Sequence, residues 1–415
     1  MRFFDTGVKW REYASALLLA VYPCLMFAVK GGINAAFLIL LLLSAWSFRQ
    51  MRTWDREEAM YLLAMASMPV AIFLSQSYHG NFSGHPYDAS SRFLLGVPVF
   101  VMLKRMRFSV AAGVQYGFPL ATIMGSAMIR QIEDGRYGIP TMDLIHFGNF
   151  ALVMGVLSIL GIDWVKRDSL PLRILKAAGF IAGVYASIVS GSRGGWIALP
   201  VFLIIFVYFR YSKVSLRALL AIPGALMLAG FIAYASSQTI HHRITELVGD
   251  VTGLEHGNPD TSTGIRLQLY RAAAEVFIKN PIFGVGPEGF AKEMDAMQKA
   301  GIVTPMAADL GRGEVHNELL SRAAGLGIFG LTAMLSIYLV PAGIFYRSMR
   351  SSIARISQSG MLGLVFVSGF IVFGLTAETL NLTMSSAFYS LTVAVLLAAC
   401  LNVHHRETSQ RNHCV

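Results

Sequence analysis

Twelve apolar runs divide this chain, at approximately 14–29, 32–48, 59–76, 93–103, 108–128, 142–162, 174–191, 194–209, 218–235, 318–346, 361–378 and 383–403. Runs of this length with so few charges predict helices that cross a bilayer, although 93–103 is short for a full crossing. The rhythm breaks once, between 235 and 318, where about eighty residues are predominantly polar. Within that stretch Thr261-Ser262-Thr263 supplies helix N-cap candidates, a helical pattern runs from Ile265 to Lys279, and Asn280-Pro281 stops it. A connector this long is usually functional or disordered. The expected organisation is therefore a membrane domain over 1–235 with nine helices, and an outer loop over 236–315 carrying an amphipathic helix at about 265–279. Three more helices follow over 316–403, then a tail over 404–415.

Composition agrees with the pattern. The chain is 55% hydrophobic and only 14% charged, with a mean hydropathy of +0.56, which predicts an all-α polytopic membrane protein. A net charge of +10 raises the question of nucleic acid, and the positions of the charges answer it. Of 34 basic residues, 21 lie before the first run or after an even-numbered one, including Lys104, Arg105, Lys166, Arg210, Arg347 and Arg406. Positive charge collects on the cytoplasmic side of membrane proteins, so both termini are expected there and the excess reflects topology rather than a nucleic-acid surface. Cys24 and Cys400 lie in apolar runs and Cys414 in the tail, which is neither a disulfide framework nor a thiolate metal site. The first run is followed at once by a second and reads as a retained anchor rather than a cleaved signal. No internal repeat supports an inverted-repeat transporter.

Three ionisable residues stand out on the outer side. Arg193 sits in Ser190-Gly191-Ser192-Arg193-Gly194-Gly195-Trp196, where glycines break the helix and deliver a guanidinium to the membrane edge. Two readings stand, an anion site and an arginine that snorkels to lipid headgroups. Arg266 falls on the same face of the 265–279 helix as Tyr270, Ala273 and Phe277, opposite Gln268, Arg271, Glu275 and Lys279. A cation on a protein-facing side needs an anionic partner, either an internal carboxylate or a substrate phosphate. His316 ends the stretch Gly311-Arg312-Gly313-Glu314-Val315-His316-Asn317 at the start of run ten. Histidine takes up protons near neutral pH, so it reads as a base at the membrane edge or as a capping, interfacial residue. The Gly284-Val285-Gly286 turn is a weak phosphate signal, and Glu293-x-Asp295 reads as a solvated helix face. No His or Cys spacing suits a metal, and no cofactor is expected.

These residues together resemble the bacterial O-antigen ligase family. The resemblance rests on His316-Asn317 followed by Gly327 and Gly330, on the Asn280-Pro281-x-x-Gly284-x-Gly286 turn, on the Ser192-Arg193-Gly194-Gly195 turn, on Arg266, and on the twelve-run layout. O-antigen polymerases and pilin oligosaccharyltransferases share parts of it. The resemblance implies a GT-C-type inverting glycosyltransferase in the bacterial inner membrane, with its site at the periplasmic face. It implies an undecaprenyl-diphosphate-linked polysaccharide donor and a lipid A–core acceptor. His316 would be the catalytic base, and Arg193 and Arg266 would bind the diphosphate. Ser192, Tyr270, Asn317 and Arg312 are counted as supporting residues. O-antigen polymerase and lipid-linked glycan flippase are the alternatives.

The charge asymmetry makes a topological prediction. In spheroplasts, a Lys292→Cys thiol should react with an impermeant reagent and a Lys166→Cys thiol should not. The reverse labelling would place the 236–315 segment in the cytoplasm.

Overall fold

A computed structural model describes residues 3–45, 54–106, 110–133, 136–211 and 256–402, with Thr245, Val248, Gly249, Thr252 and Gly253 besides. Eleven of the twelve runs coincide with helices: α1 (Phe3–Ala28), α2 (Gly32–Ala45), α3 (Arg56–His79), α4 (Tyr87–Arg105), α5 (Val110–Ala127), α6 (Leu144–Leu160), α7 (Leu170–Ser190), the short α8 (Arg193–Trp196) with α9 (Ala198–Arg210), then α13 (Glu318–Met349), α14 (Ala354–Gly374) and α15 (Thr383–Leu401). The ninth run, at 218–235, lies outside the described residues, as do the tail and the basic residues Arg217, Arg406 and Arg411. Among the described residues, six helices are long and apolar enough to cross a membrane, α3, α7 and α13 to α15 among them, and α2 and α6 are shorter apolar helices. The protein is a nearly all-helical, multi-pass membrane protein.

Burial divides the helices into core and rim. α15 is enclosed on almost every side, with Phe388, Tyr389, Leu391 and Val395 fully buried against α4 and α14. α7 instead presents Ile174, Ile181 and Tyr185 outward, as do Ile197, at the joint between α8 and α9, and Ile204 of α9. An apolar outer surface on a long helix is what a lipid environment accepts and water does not.

The fourth run is longer than its apolar stretch. α4 begins at Tyr87 because the polar first turn, with Asp88 and Ser90, is helical too. Two of the basic residues that follow even-numbered runs are buried rather than lining a surface. Lys104 Nζ reaches Glu58 Oε1 at 3.1 Å and also pairs with Asp55, and Lys176 Nζ lies 2.7 Å from Asp168. Asp55 and Glu58 at the same time form a capping box on α3.

The polar segment holds more structure than one helix. Thr261 caps α10 (Ser262–Lys279), accepting from the Gly264 N–H, and α11 (Gly289–Lys299) and α12 (Pro305–Gly311) follow. Their own apolar cluster comprises Ile265, Leu269, Ala272, Val276, Phe290, Met294 and Ala308, and it closes against Ala324 of α13. The segment 130–138 forms a hairpin of β1 (Arg130–Glu133) and β2 (Arg136–Gly138). Its sequence signal was the Asp134-Gly135 dipeptide.

α13 is broken near its start, and the break seats the polar segment. Gly327 has φ +66° and ψ −152°, a conformation essentially reserved for glycine. The Ile328 N–H leaves the helix ladder and donates to Pro281 O at 2.8 Å, while the Val285 N–H donates to Ala324 O at 3.1 Å. The 280–286 turn thus docks backbone to backbone. A Cβ on Gly327 would lie 2.2 Å from Ile282 O, and one on Gly284 2.4 Å from the Gly325 carbonyl. Glycines read as a weak phosphate signal serve close approach here.

Gly327→Ala combines a backbone strain of about 1–3 kcal/mol with that collision. It should lower the melting temperature clearly, whereas Gly343→Ala, whose Cβ meets nothing within 4 Å, should not.

Candidate active site

One short loop, Leu375–Asn381 between α14 and α15, is touched by the Arg193 turn, by Tyr270 of α10 and by the Val315–Asn317 stretch that leads into α13.

The helix breaks just before Arg193, as the glycines there predict. α7 ends at Ser190, Gly191 takes the left-handed C-cap conformation with φ +70°, and Arg193 opens the four-residue α8. Arg136 of the β-hairpin donates to the Ser190 carbonyl at 3.2 Å and so satisfies the end of α7. Ser192 is buried and holds the turn in register: its hydroxyl donates to Asn149 Oδ1 at 2.7 Å, or to Ile145 O at 3.2 Å, both on α6. Its role is to fix the turn. Gly194 presses on the loop, since a Cβ there would lie 2.4 Å from Thr376 Oγ1.

α10 turns Ile265, Leu269, Ala272, Ala273 and Val276 fully inward, with half-buried Arg266 and Tyr270 flanking that face. Arg271 is exposed and pairs with Glu275 at 3.2 Å, the expected surface ladder. Gln268, expected on the solvated side, is half-buried and ties α10 down, accepting from the Thr304 N–H at 2.8 Å and donating to Pro259 O at 2.8 Å. The Tyr270 hydroxyl lies 3.0 Å from the carbonyl of His316 and 2.8 Å from that of Leu375, and donates to one at a time. Burial raises its pKa, and the nearby Arg266 guanidinium works against that rise. The arginine expected at the site therefore adjoins the tyrosine that touches the histidine backbone.

His316 has φ +59°, a left-handed backbone that costs a non-glycine residue energy. Its ring is 18% exposed, and Nδ1 abuts Glu314 Oε1 in an ion-pair contact whose alignment falls outside that of a directional hydrogen bond. Burial pushes the Glu314 carboxyl up. The His316 ring outweighs it, with His146 and the Glu378 backbone N–H adding to the effect, and the net result is a lowered pKa. Glu314 is then ionised near neutral pH, and because Nδ1 faces it, Nε2 is left as the working edge. Asn317 is the N-cap of α13, its Oδ1 accepting from the Leu320 N–H at 3.0 Å, and its amide also reaches Leu375 O at 3.4 Å. Capping is the role the geometry gives it. Arg312 faces away, engaged with Asp295 at 2.7 Å and Asp309 at 3.2 Å on the surface of the polar segment. It makes none of the contacts around His316 described here.

Three residues escaped the sequence reading. Glu314 lay inside the quoted stretch, and its two-residue spacing from His316 was the available signal. His146 is 7% exposed, its Nδ1 3.2 Å from Asp143 and its buried Nε2 without a hydrogen-bond partner. The Asp-x-x-His spacing at a helix start announces that pair. Glu378 carried no local signal. Among the described residues, no three His, Cys, Asp or Glu side chains come together as a metal site.

Residues 178–335 match the model of a family described as O-antigen ligase. The sequence resemblance to that family is confirmed. The matched stretch begins within α7 and ends within α13, so it contains Ser192, Arg193, Arg266, Glu314, His316 and the α13 break. The chain is 25% identical over 313 residues to an uncharacterized protein of Haemophilus influenzae, covering 73% of this chain and 76% of that one. It is 21% identical over 187 residues to an O-antigen ligase of Escherichia coli, covering 45% of this chain and 44% of the relative.

Burial separates the two arginines of α10 sharply. Arg266→Ala should nearly abolish activity and weaken diphosphate-lipid binding, with poor rescue by lysine, which cannot grip phosphate oxygens bidentately. Arg271→Ala should change little, because an exposed pair is worth only about 0–1 kcal/mol. Binding assays and melting curves on both variants check this, and equal damage from the two would remove Arg266 from the site.

Proposed function

We propose that the protein is the glycosyltransferase that moves O-polysaccharide from undecaprenyl diphosphate to a sugar hydroxyl of lipid A–core, at the periplasmic face of a bacterial inner membrane. The family match and the Escherichia coli relative support a ligase- or polymerase-like role in O-antigen handling. The observation that carries the finer reading is the carboxylate-backed imidazole: Glu314 sits at Nδ1 of His316, leaving Nε2 to take a proton. Glu314 then stabilises the imidazolium, as the buried carboxylate does in a catalytic triad.

In this reading the acceptor hydroxyl loses its proton to His316 Nε2 as its oxygen attacks the anomeric carbon. The bond from that carbon to the diphosphate breaks on the opposite face, which inverts the anomeric configuration. Arg193 and Arg266 neutralise the charge that develops on the departing diphosphate. Two guanidiniums supply what a divalent cation supplies elsewhere, so transfer should proceed in chelator.

Purified protein, lipid-linked polysaccharide and lipid A–core should yield ligated product. Replacing the acceptor by a second lipid-linked glycan tests the polymerase alternative, and product only in that arm would select it. His316→Ala should lower the rate by about 10²–10⁴, the usual contribution of a general base. Normal transfer by a well-folded His316→Ala protein would return the histidine to a capping or interfacial role. Loss in chelator with recovery on adding Mn²⁺ or Mg²⁺ would overturn the metal-free reading.

A further inference from the structure

The left-handed backbone at His316 needs something to hold it, because strained conformations persist only where their surroundings over-determine them. The carbonyl side is held by Tyr270. On the other side the Val315 N–H, buried, donates to Glu378 Oε1 at 2.6 Å. Glu378 is 5% exposed and comes from the Leu375–Asn381 loop, 62 residues beyond His316 in the chain. A second carboxylate returns the favour, Glu318 Oε2 accepting the Leu380 N–H at 2.7 Å while its Oε1 accepts from Arg322 at 2.8 Å. The stretch carrying Glu314 and His316 and the loop carrying Glu378 are thus clamped to each other through buried backbone donors.

We propose that Glu378 is a positioning residue for His316: its carboxylate grips the Val315 N–H and thereby fixes the backbone turn that aims the imidazole. This rests on the reading of His316 as the base. An ionised carboxylate makes a stronger bond to an N–H than a protonated one does, so the grip depends on the charge of Glu378. The groups that face it are Glu318 and Arg322 of α13 and, through Val315, Glu314 and His316. Tyr270 of α10 meets the start of its loop, and Asp88 of α4 lines the cavity that Arg322 and Asn381 share. Burial first, and the Glu318 carboxylate second, push the Glu378 carboxyl up to about 7.

Two responses to pH then run in opposite directions. The folded protein holds the Glu378 proton more tightly than the unfolded chain does. Its contribution to stability is therefore fully present below the ordinary carboxylate range and is lost as pH rises through about 7. The grip on Val315, and with it turnover, grows over the same interval. A buried carboxylate with no part in positioning His316 would show the stability trend without the turnover trend.

The experiment measures kcat, KM and melting temperature between pH 6 and 8 for wild type, Glu378→Gln, Glu378→Ala and His316→Ala. Glutamine keeps an acceptor for Val315 but cannot titrate. The expected result is a kcat for Glu378→Ala reduced by up to about 10²-fold at nearly unchanged KM, the scale of loss from an angstrom of misplacement. Glu378→Gln should recover most of that loss, shed the part of the acid limb near pH 7, and melt at a temperature that no longer falls as pH rises. Wild-type kcat in folded Glu378→Ala would overturn the proposal. Should that variant fail to fold, a Glu378→Gln profile superimposable on wild type in both activity and melting would overturn it instead. Failure of the functional reading looks different, since His316→Ala would then transfer normally whatever Glu378 does.

Discussion

The break in α13 at Gly327 is the constraint on which the outer half of the molecule depends. An unbroken helix would satisfy its own N–H and C=O groups and offer the polar segment nothing but side chains. By releasing the Ile328 N–H and the Ala324 carbonyl, the break gives Pro281 and Val285 backbone partners inside the membrane domain. Because α10 ends at Lys279, directly before that turn, its position and pitch are fixed there. The apolar cluster around Leu269 and Met294 then closes on Ala324 and holds the other side of the segment. Arg266 and Tyr270 inherit their placement from a glycine sixty residues away.

Electrostatics completes what the packing begins. Each imidazole near the loop is backed at Nδ1 by a carboxylate, His316 by Glu314 and His146 by Asp143. Partial burial would raise the Asp143 carboxyl, but His146 and the backbone N–H groups of Ile145 and His146 hold it below the usual carboxylate range. The two pairs come from different helices and meet electrostatically at Glu314, which also responds to His146. That arrangement concentrates ionisable groups where α6, α13 and the 375–381 loop join, and keeps them off the lipid-facing surfaces of α7 and α9.

The membrane helices were legible in the sequence because hydrophobic run length is a one-dimensional signal and needs no knowledge of partners. α10 was legible for the same reason, its eighteen residues having a helical period with a cap just before them and a stop just after. The wheel placed Arg266 and Arg271 on different sides, and failed for Gln268 because Thr304 and Pro259, its partners, come from other segments. α11 and α12 were missed because short helices carry few turns of periodicity. His316 and Arg193 announced themselves by the glycines or the helix start beside them, whereas Glu378 is defined only by contacts across sixty residues. Arg312 misled because adjacency in sequence is not direction in space, and its side chain turns to Asp295 and Asp309.

The Leu375–Asn381 loop has a consequence for how freely this protein can vary. The Arg193 turn touches it at Thr376, the Tyr270 hydroxyl at Leu375, and the His316 stretch at Glu378. The Arg193 turn, Tyr270 and the His316 stretch are therefore registered to one another through seven residues of connecting chain. One inserted residue displaces an extended backbone by about 3.3 Å, several times the roughly 1 Å of misplacement that already costs about a hundredfold in rate. Loops are ordinarily where chains absorb insertions, but this one behaves as a spacer gauge that sets the distance between the Arg193 turn and the His316 stretch.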